Sequence, residues 1–429
     1  MSECGGIRRG LTTLPLELLV AICSHLCDHC VRKHTSNAWP IDADSDLPLN
    51  NQMALPLENT RLASLLNLSR TCKVLRAVAE PLLYHSPSTS REEDGWFLVD
   101  TLLKRPDLAL KVAEIDIGYP SQVPSTATAP RSRRTIPPRV QDEVERLRKM
   151  RATNPGTSEV AQDTGGSLPD GTEISAEVGE YAALRFMLLQ LVPNLEAGRF
   201  FIPNEPFSTS DMDLISHNHN LSLKSLRKLA FRGIIKRGFL LDRATPILRL
   251  APNLEVLYFE NCTAVTNLFS ASLGRDSPTD PPPLSKLTEL SLADSRLAVG
   301  ALAALLDAVG PRLSKFSIQR TAPILDFDQI LTVLQPWKRT LKELSIITSQ
   351  KTPSGPAGLV SGLFLLREFD ALETLCAEAE DLKLLEYLGH DSTIPSPFPS
   401  SLRSLRLRGS SRQVAAIESS PLVAAIVKT

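Results

Sequence analysis

The chain has 429 residues, 42% hydrophobic and 22% charged, which is enough apolar material for a large core and by length about two or three domains. Forty-seven basic residues against 48 acidic ones leave a net charge of −1, so no global field draws the chain to nucleic acid or to anionic lipid. The seven cysteines, thinly scattered after residue 72, look like reduced thiols of an intracellular protein rather than a disulfide frame, and no segment reaches the roughly 18 uncharged apolar residues of a membrane span.

The first element is carried by "LTTLPLELLVAICSHLCDHC" (11–30). Arg8 and Arg9 precede it as the charged start of a signal peptide would. Pro15 and Glu17 interrupt the apolar run, however, and the unbroken stretch from Leu18 to Cys23 is shorter than the roughly 7–15 residues of a signal core, so secretion is not expected. Leu18, Ile22 and Leu26 follow at four-residue steps, with Leu19 three before Ile22, as one apolar stripe of a helix. Pro15 suits its first position and Glu17 its positive end. Leu14 then stands where a Ser, Thr, Asp or Asn would cap the free amides, a placement that makes sense if something buries it.

A second helical pattern, "RLASLLNLSRTCKVLRAVAEPLLYH" (61–85), spaces Leu65, Leu68, Cys72, Leu75 and Val78 by three or four, and Pro81 ends or bends it. Between the two, "WPIDADSDLPLNNQMALPLENT" (39–60) reads as an exposed loop. Residues 120–178 are linker-like and too poor in large apolar residues to offset the entropy of ordering them. Within them "RVQDEVERLRKMR" (139–151) predicts an exposed helix of mixed charge, and "RSRR" (131–134) reads as solvated linker charge, with a nuclear signal as the alternative.

The strongest internal signal follows. Seven segments share the spacing apolar-x-x-apolar-x-apolar: "LRKLAF" at 226, "LEVLYF" at 254, "LTELSL" at 287, "LSKFSI" at 313, "LKELSI" at 341, "LETLCA" at 372 and "LRSLRL" at 402. Their mean separation is about 29 residues, at the upper edge of the roughly 20–29 of leucine-rich repeats. "VAEIDI" at 112 fits as an earlier copy, and "LEAGRF" at 195 fits poorly because Gly198 takes an apolar place. Helix-like stretches follow most of them: "GALAALLDAVG" (300–310), "FDQILTVLQPW" (327–337), "GLVSGLFLLREF" (358–369) and "DLKLLEYLG" (381–389). Units that cannot bury an apolar face alone stack into a solenoid. Alternation along each strand turns the pattern's apolar residues inward and leaves the others on an open face. That face offers Lys228, Arg232, Tyr258, Glu260, Glu289, Lys315, Gln319, Glu343, Glu378, Arg406 and Arg408 as candidates to meet a protein substrate.

Taken together, "LPLELLVAICSHL" (14–26) and "LASLLNLSRTCKVLRAVAEPLLYH" (62–85) resemble the F-box, and the whole chain looks like the F-box/leucine-rich-repeat proteins common in fungi. The fold class expected is α/β: a helical F-box with a long internal loop over 11–86, a first repeat-like segment over 87–119, a largely disordered insertion over 120–178, and an irregular leucine-rich-repeat solenoid of strand-plus-helix units over 179–429. The resemblance implies that the F-box docks the Skp-type adaptor of a cullin ubiquitin ligase core while the repeats hold a protein target. By position it implies an adaptor surface of Leu14, Pro15, Leu18, Leu19, Ile22 and Leu26 with Leu65, Leu68, Cys72 and Leu75. The connection over 31–58 is longer than in a compact F-box, and Leu75 sits where an aromatic residue is frequent.

Cys23, Cys27, Cys30 and His34, with His25 and His29 beside them, supply enough thiolate and imidazole for tetrahedral zinc. Against that, the spacing has no second cysteine pair and the adaptor stripe already accounts for Cys23 and Cys27. No metal ligand and no cofactor are assigned, and whether the cluster binds metal is left open by the sequence. No glycine-rich phosphate loop, GxSxG elbow or HExxH helix is present, none of the histidines after residue 34 falls in a recognisable motif, and "SHNHN" (216–220) reads as a polar loop. The function that the resemblance implies is that of a non-catalytic substrate adaptor, cytoplasmic or nuclear, acting by proximity without nucleic acid or membrane. The alternative is a free-standing leucine-rich-repeat scaffold whose N-terminal helices only cap the repeats.

Overall fold

A computed structural model describes residues 11–27, 29–31, 55–89, 92–118, 136–152, 184–202, 222–233, 238–264, 284–321, 325, 327–348, 365–378 and 398–408. The chain divides into two compact units, one of residues 1–146 with 184–198 and one of residues 147–183 with 199–429.

In the first unit, helix α1 (Leu16–His25) follows a 3-10 turn at Leu11–Thr13. Pro15 is its N-cap rather than its first residue: no side chain caps the helix, and the Pro15 carbonyl accepts the amides of Leu18 and Leu19 at 3.1 and 3.2 Å. Leu14 donates its own amide to the Leu11 carbonyl and packs against the helical core, so the residue that could not cap contributes burial instead. The pattern over 61–85 forms two helices, α2 (Leu55–Thr71) and α3 (Lys73–Leu83). Cys72 breaks them: its backbone is extended and its thiol accepts the Leu75 amide at 3.5 Å as the cap of α3. Since α2 starts at Leu55, the end of the stretch read as loop is helical. Leu19, Cys23 and Cys27 meet Leu65 of α2 and Leu75, Val78, Ala79 and Leu82 of α3 in one small core.

After these helices the chain enters strand β1 (Ser88–Thr89), helices α4 (Glu92–Lys104) and α5 (Pro106–Ala109), and strand β2 (Glu114–Ile117), which pairs parallel with β1. Helix α6 (Pro138–Ala152) covers the mixed-charge segment, but it buries Val140 and Val144, so one side of it is covered rather than fully exposed. The "RSRR" cluster and "SHNHN" lie outside the described residues, as do "DLKLLEYLG" and most of "GLVSGLFLLREF".

Strand β3 (Ala197–Phe201) is followed by β4 (Lys228–Arg232), and the second unit continues with β5 (Phe239–Leu240), helix α7 (Thr245–Leu250), β6 (Val256–Glu260), β7 (Cys262–Ala264), β8 (Glu289–Ala293) and β9 (Arg296–Leu297). Helix α8 (Val299–Asp307), β10 (Lys315–Thr321), helix α9 (Phe327–Leu334), β11 (Glu343–Thr348), β12 (Thr374–Glu378) and β13 (Ser404–Arg408) complete it. The seven segments of repeated spacing are thus β4, β6, β8, β10, β11, β12 and β13, which lie side by side and parallel. The class is α/β. Register runs straight through the row Lys228, Val256, Glu289, Lys315, Glu343, Thr374 and Ser404.

One hydrogen-bond device repeats at the strand entrances. A single carbonyl accepts two successive amides of the next unit: Arg227 from Glu255 and Val256, Glu255 from Thr288 and Glu289, Thr288 from Ser314 and Lys315, and so on to Glu373. The first unit uses the same device, with the His85 carbonyl accepting Ala113 and Glu114 and the Ala113 carbonyl accepting Glu196 and Ala197. Apolar positions of the spacing, among them Leu229, Phe231, Leu257, Phe259, Leu290, Leu292, Phe316 and Ile318, are essentially inaccessible. Phe231 and Phe259 stack at 5.6 Å with Phe200 and Phe239 beside them. Helices α8 and α9 turn Leu302, Leu305, Ile330, Leu331 and Leu334 into the same core.

Candidate functional site

Helix α1 is apolar on nearly every side, which ordinarily marks a helix enclosed by its own protein. Here only one side is enclosed. Leu19 and Cys23 are buried, whereas Leu16 is 58% exposed, Leu18 51%, Val20 43% and Ile22 40%. Glu17 and His25 are the polar interruptions on that open side. Leu62 and Leu66 of α2 and Val74 of α3 are also exposed, so the three helices together present an unusual amount of aliphatic surface for so small a body.

The ten residues expected at an adaptor surface separate accordingly. Pro15, Leu18 and Ile22 are exposed. Leu14, Leu26, Leu68 and Cys72 are half-buried against the core. Leu19, Leu65 and Leu75 are inside it, with Cys23, Cys27, Val78, Ala79 and Leu82. Leu16, Val20, Leu62, Leu66 and Val74 are exposed apolar residues that the stripe reading missed. The signal for them was available, because a ten-residue helix with apolar residues outside its main stripe has more greasy surface than two short partners can cover.

At the far end of α1 a polar cluster forms. The Cys27 and Cys30 sulfurs lie 3.9 and 3.5 Å from Nδ1 of His85, and the Cys30 sulfur lies 3.9 Å from Nδ1 of His29. The His29 and His85 rings meet edge-on at 5.4 Å. Cys27 and His29 are buried, Cys30 and His85 half-buried, and one donor atom from each of the four lies within 4.8 Å of the others. The hydrogen bond with Cys30, reinforced by burial, pushes the Cys27 thiol up from its ordinary value, and burial alone does the same to Cys23. Cys23 belongs to the core, and His34 lies outside the described residues, so the grouping Cys23, Cys27, Cys30 and His34 is not the one that assembles. His85, which the sequence did not single out, takes part.

On the strands, alternation holds through the matched register. Lys315 reaches Glu289 at 3.3 Å and Glu343 at 3.6 Å along one row. Burial works against its charge, but the two carboxylates outweigh burial and hold the ammonium above its ordinary value. Arg232 pairs with Glu260 at 2.9 Å. Gln319, Glu378, Lys228 and Arg408 are partly exposed, and Glu343 and Arg406 are open. Tyr258 departs from the expected open face: it is 3% exposed. It sits in the central row between Ala230 and Ser291, followed by Ser317, Ser345 and Cys376. On strands about 4.8 Å apart a central side chain is screened from both sides, and small residues fill most of that row.

Among the described residues, no helix is long and apolar enough to cross a membrane. No protein-family model matches the chain, and no curated protein matches it.

Proposed function

We propose that this chain is a substrate-recognition adaptor of an SCF-type cullin ubiquitin ligase, in which the N-terminal helices act as an F-box that docks a Skp-type adaptor and the later units act as a leucine-rich-repeat solenoid that holds a protein target. The observation that carries this reading is the open apolar side of α1, where Leu16, Leu18, Val20 and Ile22 remain between 40% and 58% exposed. Aliphatic side chains left in water on a small helical body are a standing free-energy source for association, roughly 1.5–3 kcal/mol for each one fully buried. The in-register parallel strands supply a long, rigid face of mixed charge on which a target protein can lie. The chain itself does no chemistry in this scheme; it raises the local concentration of target beside a ubiquitin-charged enzyme.

The test is direct binding of the purified full chain to a purified Skp-type adaptor, followed by capture of the cullin core on the resulting pair. Stoichiometric binding that depends on Leu18 and Ile22 is the expected outcome. A wild-type chain that leaves the adaptor unbound under conditions where a known F-box protein captures it removes the ligase assignment and leaves the free-standing scaffold.

A further inference from the structure

We infer that Cys27, His29, Cys30 and His85 form a structural zinc site that fastens the end of α1 to the chain leaving α3. The reading does not rest on the ligase assignment. It starts from convergence: two segments separated by 55 to 58 residues bring four soft or borderline donors together, with one donor atom of each inside 4.8 Å of all the rest. In an ideal tetrahedron with zinc–sulfur bonds of about 2.3 Å and zinc–nitrogen bonds of about 2.0–2.1 Å, neighbouring donors stand about 3.4–3.8 Å apart. The sulfur-to-imidazole distances of 3.5, 3.9 and 3.9 Å are already at or just outside that range.

Chemistry and charge select the ion. Two thiols and two imidazoles with no carboxylate among them suit zinc far better than magnesium or calcium. On binding, the two thiols release their protons to solvent, and two thiolates balance one Zn²⁺, so the loaded site is neutral and can be largely enclosed. Cys27 and Cys30 have the two-residue separation common in zinc ligand pairs. His85 is fixed on both sides of its peptide, its amide donating to the Leu82 carbonyl at 3.3 Å and its carbonyl accepting Ala113 and Glu114. The four ligands close the coordination sphere, which makes the site structural rather than catalytic. It also answers how so small a helical core, apolar on its outer side as well, holds one arrangement: a metal is a common supplement where burial is limited.

The experiment is metal analysis of the full chain purified in reductant without chelator, with Co²⁺ titration of the stripped protein as a second measurement. About one zinc per chain is expected, together with the visible absorption of tetrahedral cobalt and a melting temperature that falls on stripping and recovers with Zn²⁺. Cys30→Ser and His85→Asn each lose the metal, while Cys23→Ala and His34→Ala keep it. Wild-type protein that carries no zinc and gives no tetrahedral cobalt spectrum overturns the inference, even if every variant misfolds. So does loss of metal in Cys23→Ala or His34→Ala with retention in both Cys30→Ser and His85→Asn.

Discussion

Replacing Leu18 and Ile22 together by alanine separates a docking surface from a core. Complete burial of a Leu or Ile is worth roughly 1.5–3 kcal/mol, and a partner can cover only the portion now in water. With 51% of Leu18 and 40% of Ile22 exposed, a partner's share is about 0.8–1.5 and about 0.6–1.2 kcal/mol respectively. The double substitution therefore weakens adaptor binding by about 1.4–2.7 kcal/mol, or about 10- to 100-fold in Kd. Glutamate at the same positions goes further, because a carboxylate must then be desolvated against an apolar partner. Neither residue belongs to the helical core, but the part of each side chain that its own chain already covers is lost as well, so by the same measure alanine lowers stability in urea by up to about 0.7–1.5 kcal/mol at Leu18 and about 0.9–1.8 kcal/mol at Ile22. Leu19→Ala is the counterpart: Leu19 is 2% exposed, and its truncation costs about 2–5 kcal/mol of stability. Titration calorimetry against a Skp-type adaptor and urea melts of the same samples read both quantities. Unchanged Kd in the Leu18→Ala/Ile22→Ala protein, with its melt still cooperative, refutes the argument that this side of α1 is the contact.

Three further outcomes follow from the second unit. Gly310→Ala lowers the melting temperature, because a Cβ there would meet the Ser285 backbone at 2.6–2.7 Å and the Gly310 carbonyl also receives the Trp337 indole N–H at 2.8 Å; a cost of about 1–3 kcal/mol is expected in thermal melts. Lys315→Met removes a stabilisation with a definite pH dependence. The folded ammonium is held above its ordinary value by Glu289 and Glu343, so the wild-type advantage is fully present below the unfolded lysine's pKa of about 10.4 and disappears as pH rises through the folded value; urea melts at pH 8 and at about pH 11 read the difference, which is at most about 1 kcal/mol for a group this exposed. Cys262 is enclosed, its thiol pushed up to about 12 mainly by burial, with the Ser295 hydroxyl 3.1 Å away pulling the other way; peptide mapping after alkylation of native protein at pH 8 should find it unmodified, and modified only after unfolding.

What could be read in advance depended on whether the cause was periodic. The spacing that begins at Leu226 and returns at Leu402 records a physical rule repeated in every unit: alternate side chains enter one core, and the next strand must pair in register with the last. Leu229, Leu257, Leu290, Phe316 and Leu344 obey it, and a pattern search finds them because each repetition adds to the same signal. The N-terminal helices offer no repetition. A stripe of apolar residues fixes which positions can face inward, but the choice of Leu19 over Leu18 for the core depends on where α3 lies, and that is set by the break at Cys72, whose extended backbone no periodicity announces. The polar cluster is harder still. Cys27 and Cys30 are neighbours and suggest a ligand pair at once, yet the partner that completes the group stands 55 residues beyond Cys30 in a sequence context, "LLYHSP", that carries no metal signal of its own. His85 is placed by the last turn of α3 and by the first of the carbonyls that receive two amides, so its position is a property of the strand entrance. A residue recruited by the fold in this way becomes visible only when both segments are seen together. The same reasoning explains Tyr258: alternation correctly puts it on the side away from the phenylalanines, but alternation says nothing of how deep that side is, and neighbours on both flanks leave it 3% exposed.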